Sequence, residues 1–314
     1  MNRSIEIKRY CPQEQEAWDD AVKTSANGTF LFLRNYMEYH AHRFEDFSLM
    51  IYDRGKLIAL LPASKHNDIV ISHGGLTYGA LITAATVSSL QIQYIVESIA
   101  HYLRNEGLKQ WHYKPTPHIY HSYPHEAELY ALSRLGAIRT ACSLASVIDL
   151  ESPLRYAELR RRCIKRAQQQ HITIGLSNDF APFWEILTHN LQERHQVNPV
   201  HTLQEIELLH NRFPHQITLH TATLQGEVVA GCVIYDTGRV AHAQYIAASP
   251  VGKSCGALDL LFAHLIEKEY RHCRYFDFGI STEQGGKILN EGLLAQKEGF
   301  GARGIIYETY TIAL

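Results

Sequence analysis

Small residues of the kind that surround a bound phosphate are concentrated in the segment 249–256, just before a helical run. A phosphate is commonly bound by free backbone N–H groups at a helix N-terminus, and glycine lets the backbone approach it closely. The segment therefore predicts a cofactor-binding loop, although Pro/Gly/Ser loops before helices are also common without a ligand. The candidate binding residues are Gly252, Lys253, Ser254, Cys255 and Gly256.

Asp277 is a carboxylate between aromatic residues in a strand-like run, 274–279. Burial would raise its pKa and make it a candidate general base for an amine nucleophile. An Asp close before a Gly also commonly caps the following turn. The turn-capping role is the commoner one, and both alternatives stay open at the level of sequence.

A cationic helical run follows Pro153. Its basic residues are Arg155, Arg160, Arg161, Arg162, Lys165 and Arg166. At about 100° per residue, Arg155, Arg162 and Arg166 share one side of the helix. Such a surface suits the phosphates of a nucleotide sugar or of a transfer RNA acceptor end, with Arg162 and Lys165 as candidate substrate-binding residues. A solvated surface helix is the alternative.

The second half of the chain contains the elements that must position these groups. Three strand-like runs, 217–224, 227–235 and 239–247, are joined at Gln225-Gly226 and Thr237-Gly238, which are typical hairpin links. Apolar residues recur at helical spacing over 257–270 and predict a helix with one buried face. We expect a strand over 274–279, a short helix ending near 297–301 and a closing strand over 304–312.

The first half shows a related order of elements. We expect strands at 5–10, 49–52, 56–63, 68–73, 110–114 and 140–150, and helices at 12–25, 85–106 and 125–135. The stretch 29–47 is expected to contain a further, aromatic-rich helical segment, FLFLRNYMEYHAHRF. The segment Glu151-Ser152-Pro153 interrupts the last of these strands. We therefore predict two α+β domains, 1–150 and 151–314.

The order and spacing of these elements resemble the GNAT acyltransferase fold, and more closely its FemAB-like branch, which joins two GNAT-like halves. The motifs that carry the resemblance are YFDFG (275–279), LLAQKEGFGAR (293–303), GEVVAG (226–231) and LRRRCIKRAQQQHITI (159–174). The resemblance implies an α+β chain of two tandem GNAT-like domains, each a mixed, mostly antiparallel sheet flanked by helices. It places the acceptor in the first domain and the donor at segment 249–256 of the second.

The resemblance also implies roles for single residues. Lys297 matches the lysine of an FK..FG motif near the transferred group, where an ammonium would stabilise an oxyanion electrostatically. A surface lysine at a helix C-terminus is the alternative. Tyr245, Asp277 or the substrate itself would relay the proton. On the substrate side the resemblance indicates Arg34, Tyr36, Arg43, Tyr78 and Arg194, and arginines suit carboxylate or phosphate.

The activity implied by the resemblance is transfer of an acyl or aminoacyl group to an amine of a cell-envelope precursor or an amino sugar. The donor would be acyl-coenzyme A or aminoacyl-tRNA. Two alternatives are an acetyl-coenzyme A-dependent N-acetyltransferase acting on a nucleotide sugar, and a degenerate GNAT pair that binds a ligand without catalysis. A small-molecule or nucleotide-sugar acceptor is expected in either enzyme.

Composition narrows the class of protein further. A net charge of −2 over 314 residues gives no general attraction for nucleic acid, so we expect no DNA partner. No apolar run reaches the roughly 18 residues that a membrane span needs. The six cysteines form no C-x-x-C pair and favour a cytoplasmic protein with reduced thiols. The 19 histidines are scattered without a ligand motif, so we predict no metal.

Overall fold

A computed structural model describes residues 5–314. Its strands are β1 (Ile5–Arg9), β2 (Glu45–Asp46), β3 (Leu49–Asp53), β4 (Lys56–Leu61), β5 (Ser64–His66), β6 (Ile69–Ile71), β7 (Ile82–Thr83), β8 (Gln110–Tyr113), β9 (Ile138–Asp149), β10 (Thr173–Ser177), β11 (Ile217–Leu224), β12 (Glu227–Asp236), β13 (Val240–Ala248), β14 (Tyr275–Ile280), β15 (Thr282–Glu283), β16 (Ile288–Leu289) and β17 (Arg303–Ala313).

The helices lie between groups of these strands along the chain. They are α1 (Gln15–Lys23), α2 (Arg34–Met37), α3 (Ser89–Asn105), α4 (Ala127–Arg134), α5 (Glu158–Gln169), α6 (Ala181–His195), α7 (Leu203–Arg212), α8 (Pro250–Cys255), α9 (Ala257–His264) and α10 (Glu291–Glu298). Helix α9 continues as a π-helical turn over Leu265–Glu269. The predicted α+β class is confirmed.

The described chain forms two compact units. Unit 1 comprises the described residues up to Ser143 together with Gln284–Lys287 and Ile306–Leu314. Unit 2 comprises Leu144–Glu283 and Ile288–Ile305. Two short segments near the C-terminus therefore belong to the first unit rather than to the second.

Unit 1 contains an antiparallel sheet in the order β1-β3-β4-β7 and a second group of strands in which β6 lies parallel to β8. Helix α3 begins with a capping box formed by Ser88 and Gln91. Its buried residues Ile92, Val96, Ile99 and Leu103 fall on one face and pack into the core of this unit. Burial of that stripe is what holds α3 in place.

Unit 2 is built on a sheet in the order β10-β11-β12-β13-β14, with residues 144–149 of β9 beside β14. The strands are antiparallel except for the parallel pair of β13 and β14. Phe262 of α9 packs against Phe278 of β14 and Phe300 after α10, with ring centroids 5.0 and 5.5 Å apart. These aromatic contacts hold both helices against β14.

The hairpin link predicted between β11 and β12 is confirmed. Gln225 and Gly226 both have positive φ, 55° and 88°, as the two central residues of a tight hairpin turn require. The bounds of β11, β12 and β13 agree with the expected strands to within one residue at each end.

Three local expectations were wrong. The helical segment expected within 29–47 is divided into a 3-10 turn, α2 and a kinked 3-10 segment. Arg155 precedes the basic helix, which begins at Glu158. Segment 249–256 contains α8, because Ser249 caps the helix by accepting the N–H of Gly252 and Pro250 takes the first position, where a missing N–H costs little.

Among the helices of residues 5–314, none combines the length and the hydrophobicity needed to span a bilayer.

Candidate active site

The parallel strands β13 and β14 pair over three positions and then separate. Their register runs from Val240 opposite Tyr275 to His242 opposite Asp277. Beyond that point β13 continues to Ala248 along β12, and β14 continues to Ile280. Gly279 has φ 71°, and the register of β14 against β9 shifts between Asp277 and Ile280, as at a β-bulge. We call the space between residues 243–248 and 278–280 the fork.

A histidine and a buried carboxylate meet at the base of the fork. His242 Nδ1 donates a hydrogen bond of 2.8 Å to Asp277 Oδ2, and Asp277 Oδ1 accepts the N–H of Gly279 at 2.7 Å. The Asp277 side chain is fully buried, whereas that of His242 is 14% exposed. Asp277 therefore caps the turn and also orients a histidine. With Nδ1 held as a donor, the Nε2 atom is available as a proton acceptor.

Lys297 of α10 lies beside the same turn. Its ammonium donates to the carbonyl oxygens of Gly279 and Ile280 at 2.9 and 2.7 Å. The residue is only 4% exposed, so the alternative of a surface lysine is wrong. Burial lowers the pKa of Lys297 to about 8, although the Asp277 carboxylate acts in the opposite direction. A cation is thus held immediately past the base of the fork.

Tyr245 lies on the part of β13 that borders the fork. Its hydroxyl accepts the backbone N–H of His201 at 3.3 Å and also hydrogen-bonds to Nδ1 of that histidine. Its ring packs edge-on against Trp184, with centroids 5.0 Å apart. Burial raises the pKa of Tyr245 to about 12, so the hydroxyl is protonated at neutral pH.

A cavity of about 460 Å³ lies next to α8. We call it the α8 cavity. The small residues in its wall are Ala157, Gly252, Gly292, Ala295 and Gly299. Its charged side chains are Lys253 and the ion pair of Arg160 Nη1 with Asp259 Oδ1, 2.6 Å apart. Lys253 Nζ also donates to Asn190 Oδ1 at 3.1 Å. The volume falls in the range of small-ligand sites.

The predicted cofactor residues are only partly brought together. Gly252 and Lys253 line the α8 cavity, whereas Ser254 donates its hydroxyl to the Val251 carbonyl and Cys255, the last residue of α8, is buried. Gly256, with φ 81°, separates α8 from α9. A Cβ on Gly252 would lie 2.1 Å from the Val229 carbonyl oxygen, so glycine here allows α8 to pack against β12.

The residues expected on the substrate side are of two kinds. Arg34, Tyr36 and Tyr78 are buried in unit 1. Arg34 pairs with Glu38 at 3.0 Å and with Asp46, and these partners give its guanidinium a structural role. The other predicted residues, Arg43, Arg162, Lys165 and Arg194, are exposed.

Histidine 242 is the site residue that sequence reasoning missed. Its pairing with Asp277 joins positions 35 residues apart and depends on the register of two parallel strands. The available signal was a histidine in the mostly apolar strand VAHAQYIAA, which also contains Gln244, and that signal alone does not name a partner.

One group of possible metal ligands occurs within residues 5–314, formed by Asp236, His272 and Cys273. Asp236 already accepts hydrogen bonds from His272 Nε2 at 2.8 Å and from the backbone N–H of Gly238 at 2.7 Å. These hydrogen bonds stabilise the turn between β12 and β13. The cluster lies at the N-terminal end of β13, away from the fork.

Comparisons with known proteins show which family model and which solved structures this chain resembles. Residues 156–284 match the family model of the acetyltransferase (GNAT) domain. The crystal structure of FemX is similar, with a TM-score of 0.70 and 11% identity over 98% of this chain and 97% of that one. The chain has the FemAB-like tandem GNAT fold. The GNAT match includes β13, β14 and α8 and ends before Lys297.

Two further structures share this tandem GNAT fold. A C-terminal domain assigned to a lysylphosphatidylglycerol synthetase of Agrobacterium fabrum has a TM-score of 0.61 and 11% identity, covering 95% of this chain and 91% of that one. A tandem GNAT protein of the clavulanic acid biosynthesis pathway has a TM-score of 0.52 and 9% identity, covering 99% and 98%. At such identities the likeness concerns the fold. No curated protein matches the sequence.

Proposed function

We propose that this protein transfers an acyl or aminoacyl group from an activated ester or thioester to an amine. The observation that carries the proposal is the His242–Asp277 pair at the base of the fork, with the Lys297 ammonium on the adjacent carbonyls of β14. A proton acceptor and a buried cation beside one another are the two groups that aminolysis of an ester needs. The match of unit 2 to the GNAT acetyltransferase domain supports the same reaction class.

The proposed donor carries phosphate groups and is either an acyl-coenzyme A or an aminoacyl-tRNA. Its phosphates would lie at the α8 cavity, near Lys253 and Arg160. The small residues of the cavity wall permit close approach of a ligand to the backbone. The acyl group would then reach into the fork, where β13 is no longer paired with β14 and its edge offers backbone hydrogen bonds.

The proposed chemistry is direct attack of the acceptor amine on the donor carbonyl carbon. The new C–N bond forms, and the bond from that carbon to the leaving sulfur or oxygen breaks. His242 Nε2 takes the proton from the amine nitrogen, while Asp277 holds the imidazole and stabilises its cationic form. Lys297 stabilises the charge on the carbonyl oxygen, and the protonated Tyr245 hydroxyl is the candidate donor to the leaving group.

The proposed acceptor is an amine on a cell-envelope precursor or on a nucleotide-linked amino sugar, and the proposed location is the cytoplasm. Support for this class comes from the shared fold with FemX and from the name of the lysylphosphatidylglycerol synthetase relative.

The test supplies each donor class separately. Acetyl-coenzyme A, longer acyl-coenzymes and a mixed aminoacyl-tRNA pool are each added to the full chain, and the melting temperature is measured. Donors that raise it are incubated with amino sugars, nucleotide-linked amino sugars and lysine-containing peptides, and products are identified by mass spectrometry. A product that His242→Gln fails to form supports the proposal.

One result would reject the proposed transferase function. If no donor of either class raises the melting temperature and no amide product forms, the chain is a ligand-binding relative of the enzymes rather than a transferase.

A further inference from the structure

A second cavity, of about 620 Å³, lies at the opposite end of the β13–β14 pair from the fork. We call it the β9 cavity. Ile148 and Leu150 at the end of β9 line it, and Asp149 between them pairs with Tyr275, the first residue of β14. The fork begins past Asp277, toward the other end of β14. The β9 cavity is therefore separate from the residues of the proposed transferase site.

The floor of the β9 cavity is apolar. It is formed by Ile148, Leu150, Leu154, Ile164 and Ile266. Leu154 is 47% exposed, so part of this apolar surface faces solvent. A concave surface of this kind and size is typical of sites that bind the apolar part of a small molecule.

The rim of the cavity is cationic. Arg161 and Lys165 project from α5 on the same face as Ile164 and Gln168, at helical spacing. Arg155 and Arg271 complete the basic side chains, and all four are exposed. Within the described part of the chain, none of the four has an ion-pair partner. Glu267 is the acidic residue of the rim, so the four basic side chains dominate its charge.

Tyr156 also lines the cavity, while its hydroxyl oxygen is buried. Its ring packs edge-on against Phe300, with centroids 5.5 Å apart, which fixes its orientation. Burial and the Glu267 carboxylate raise the pKa of Tyr156, so the hydroxyl is a hydrogen-bond donor at neutral pH. The cavity thus combines an apolar floor, an aromatic ring in a fixed orientation and unpaired cations at its mouth.

We propose that the β9 cavity binds an amphiphilic anion, a molecule in which one apolar chain ends in a phosphate or carboxylate group. The chain would cover the floor and displace water from it, and the anionic group would lie between Arg161 and Arg271 at the rim. Neither part alone suits the cavity, because the floor is apolar and the rim is charged. The site would add a regulatory or anchoring ligand to a chain whose proposed chemistry takes place elsewhere.

The test uses dodecyl phosphate below its micelle-forming concentration, with inorganic phosphate and dodecyl maltoside as probes that each carry only one of the two chemical features. Isothermal titration on the full chain is expected to give one saturable site for dodecyl phosphate and none for the other two probes. Equal binding of inorganic phosphate, or of dodecyl maltoside, would overturn the proposal.

Matched variants locate the binding. Arg161→Glu combined with Arg271→Glu is expected to weaken dodecyl phosphate binding at least about tenfold, because hydrogen bonds to charged groups are lost. Arg162→Glu combined with Lys268→Glu makes the same charge change on the same segments outside the cavity and should leave binding unchanged. Equal weakening by both pairs would show non-specific attraction and overturn the proposal.

The apolar floor and the source of the ligand need separate measurements. Leu154→Ser, at an exposed position, is expected to weaken dodecyl phosphate binding without changing charge, and unchanged binding contradicts the role of the floor.

Sedimentation with phosphatidylglycerol vesicles then distinguishes a membrane lipid from a soluble amphiphile. Vesicle binding that excess dodecyl phosphate displaces indicates a lipid, and no vesicle binding indicates a soluble ligand. Vesicle binding that survives in the Arg161→Glu/Arg271→Glu variant overturns the proposal.

Discussion

His242 Nδ1 lies 2.8 Å from Asp277 Oδ2 at the last position where β13 and β14 are paired. The other oxygen of the carboxylate accepts the N–H of Gly279. One buried acid therefore both shapes the turn that opens the fork and orients the imidazole at its base. A residue with these two duties links the backbone conformation to the proposed chemistry.

Substitutions at this pair should separate the two duties. His242→Gln is expected to lower turnover by about 10²- to 10⁴-fold, the usual contribution of a general base, with little change in melting temperature. Asp277→Asn should lower both the turnover and the melting temperature, because the buried cap and the orientation of the imidazole are disturbed together. The measurements are amide formation and thermal unfolding.

The chain provides a matched control for this prediction. His272 Nε2 donates to Asp236 Oδ2 at 2.8 Å, also across a His–Asp pair, but away from the fork. His272→Gln should leave turnover unchanged. Equal turnover in His242→Gln and in the wild-type protein would contradict a proton-transfer role.

The Lys297 ammonium should make stability depend on pH in a predictable direction. Burial lowers its pKa from the ordinary 10.5 to about 8. Between these values the unfolded chain binds more protons than the folded chain, so the free energy of unfolding rises as pH increases from about 8 to 10.5. At about 1.36 kcal/mol per pKa unit, the free energy of unfolding rises by at most about 3 kcal/mol.

Lys297→Met removes the titrating group and should remove that gain. Urea unfolding at pH 7 and at pH 10 measures the difference between the two proteins, and parallel pH profiles would contradict the assignment. Lys268→Met, at an exposed lysine, is the control and should keep the wild-type profile. Activity that depends on the Lys297 cation should also fall above about pH 8.

Gly252 should tolerate no side chain. A Cβ there would lie 2.1 Å from the Val229 carbonyl oxygen, so Gly252→Ala must displace α8 from β12. We expect a loss of about 1 to 3 kcal/mol in the free energy of unfolding together with weaker donor binding. Gly175→Ala is the control, because its Cβ would meet nothing within 4 Å.

A Gly252→Ala protein that matches wild type in both unfolding and donor binding would contradict the packing argument. Loss of stability without loss of donor binding would instead show that the donor phosphates do not bind next to α8.

Arg34 should contribute to the stability of unit 1. Its guanidinium pairs with Glu38 and Asp46 and lies 3.8 Å from the ring centroid of Tyr10, while the residue is only 3% exposed. Arg34→Met leaves two carboxylates without their cation, and such a break typically costs about 3 to 5 kcal/mol when the pair is buried. Because both carboxylates are partly exposed, we expect the lower end of that range.

Arg43→Met is the matched control, since Arg43 is exposed, and the expected change is within about 0.5 kcal/mol. Chemical unfolding of the two variants measures both effects. If both variants lose equally little free energy of unfolding, the structural role of Arg34 is contradicted, and Arg34 becomes a candidate substrate-binding residue again.

Local rules predicted much of the fold. The Gln225-Gly226 turn, the amphipathic helix α3 and the strands β11 to β13 follow from glycine conformation and apolar periodicity, which are properties of neighbouring residues. The same rules misjudged segment 249–256, although Ser249 followed by Pro250 is a helix-start signal. They also missed the division of the helical segment within 29–47, where His40 has non-helical φ and ψ.

The sequence by itself determined the order of the elements and pointed to Asp277 and Lys297 as chemically capable residues within short motifs. Tertiary structure alone decided that His242 stands opposite Asp277, that Lys297 binds the carbonyls beyond it, and that the β9 cavity lies at the other end of the same strands. The physical reason is register. Parallel strands joined through a helix are aligned by core packing over many residues, and no local pattern specifies which side chains will face each other.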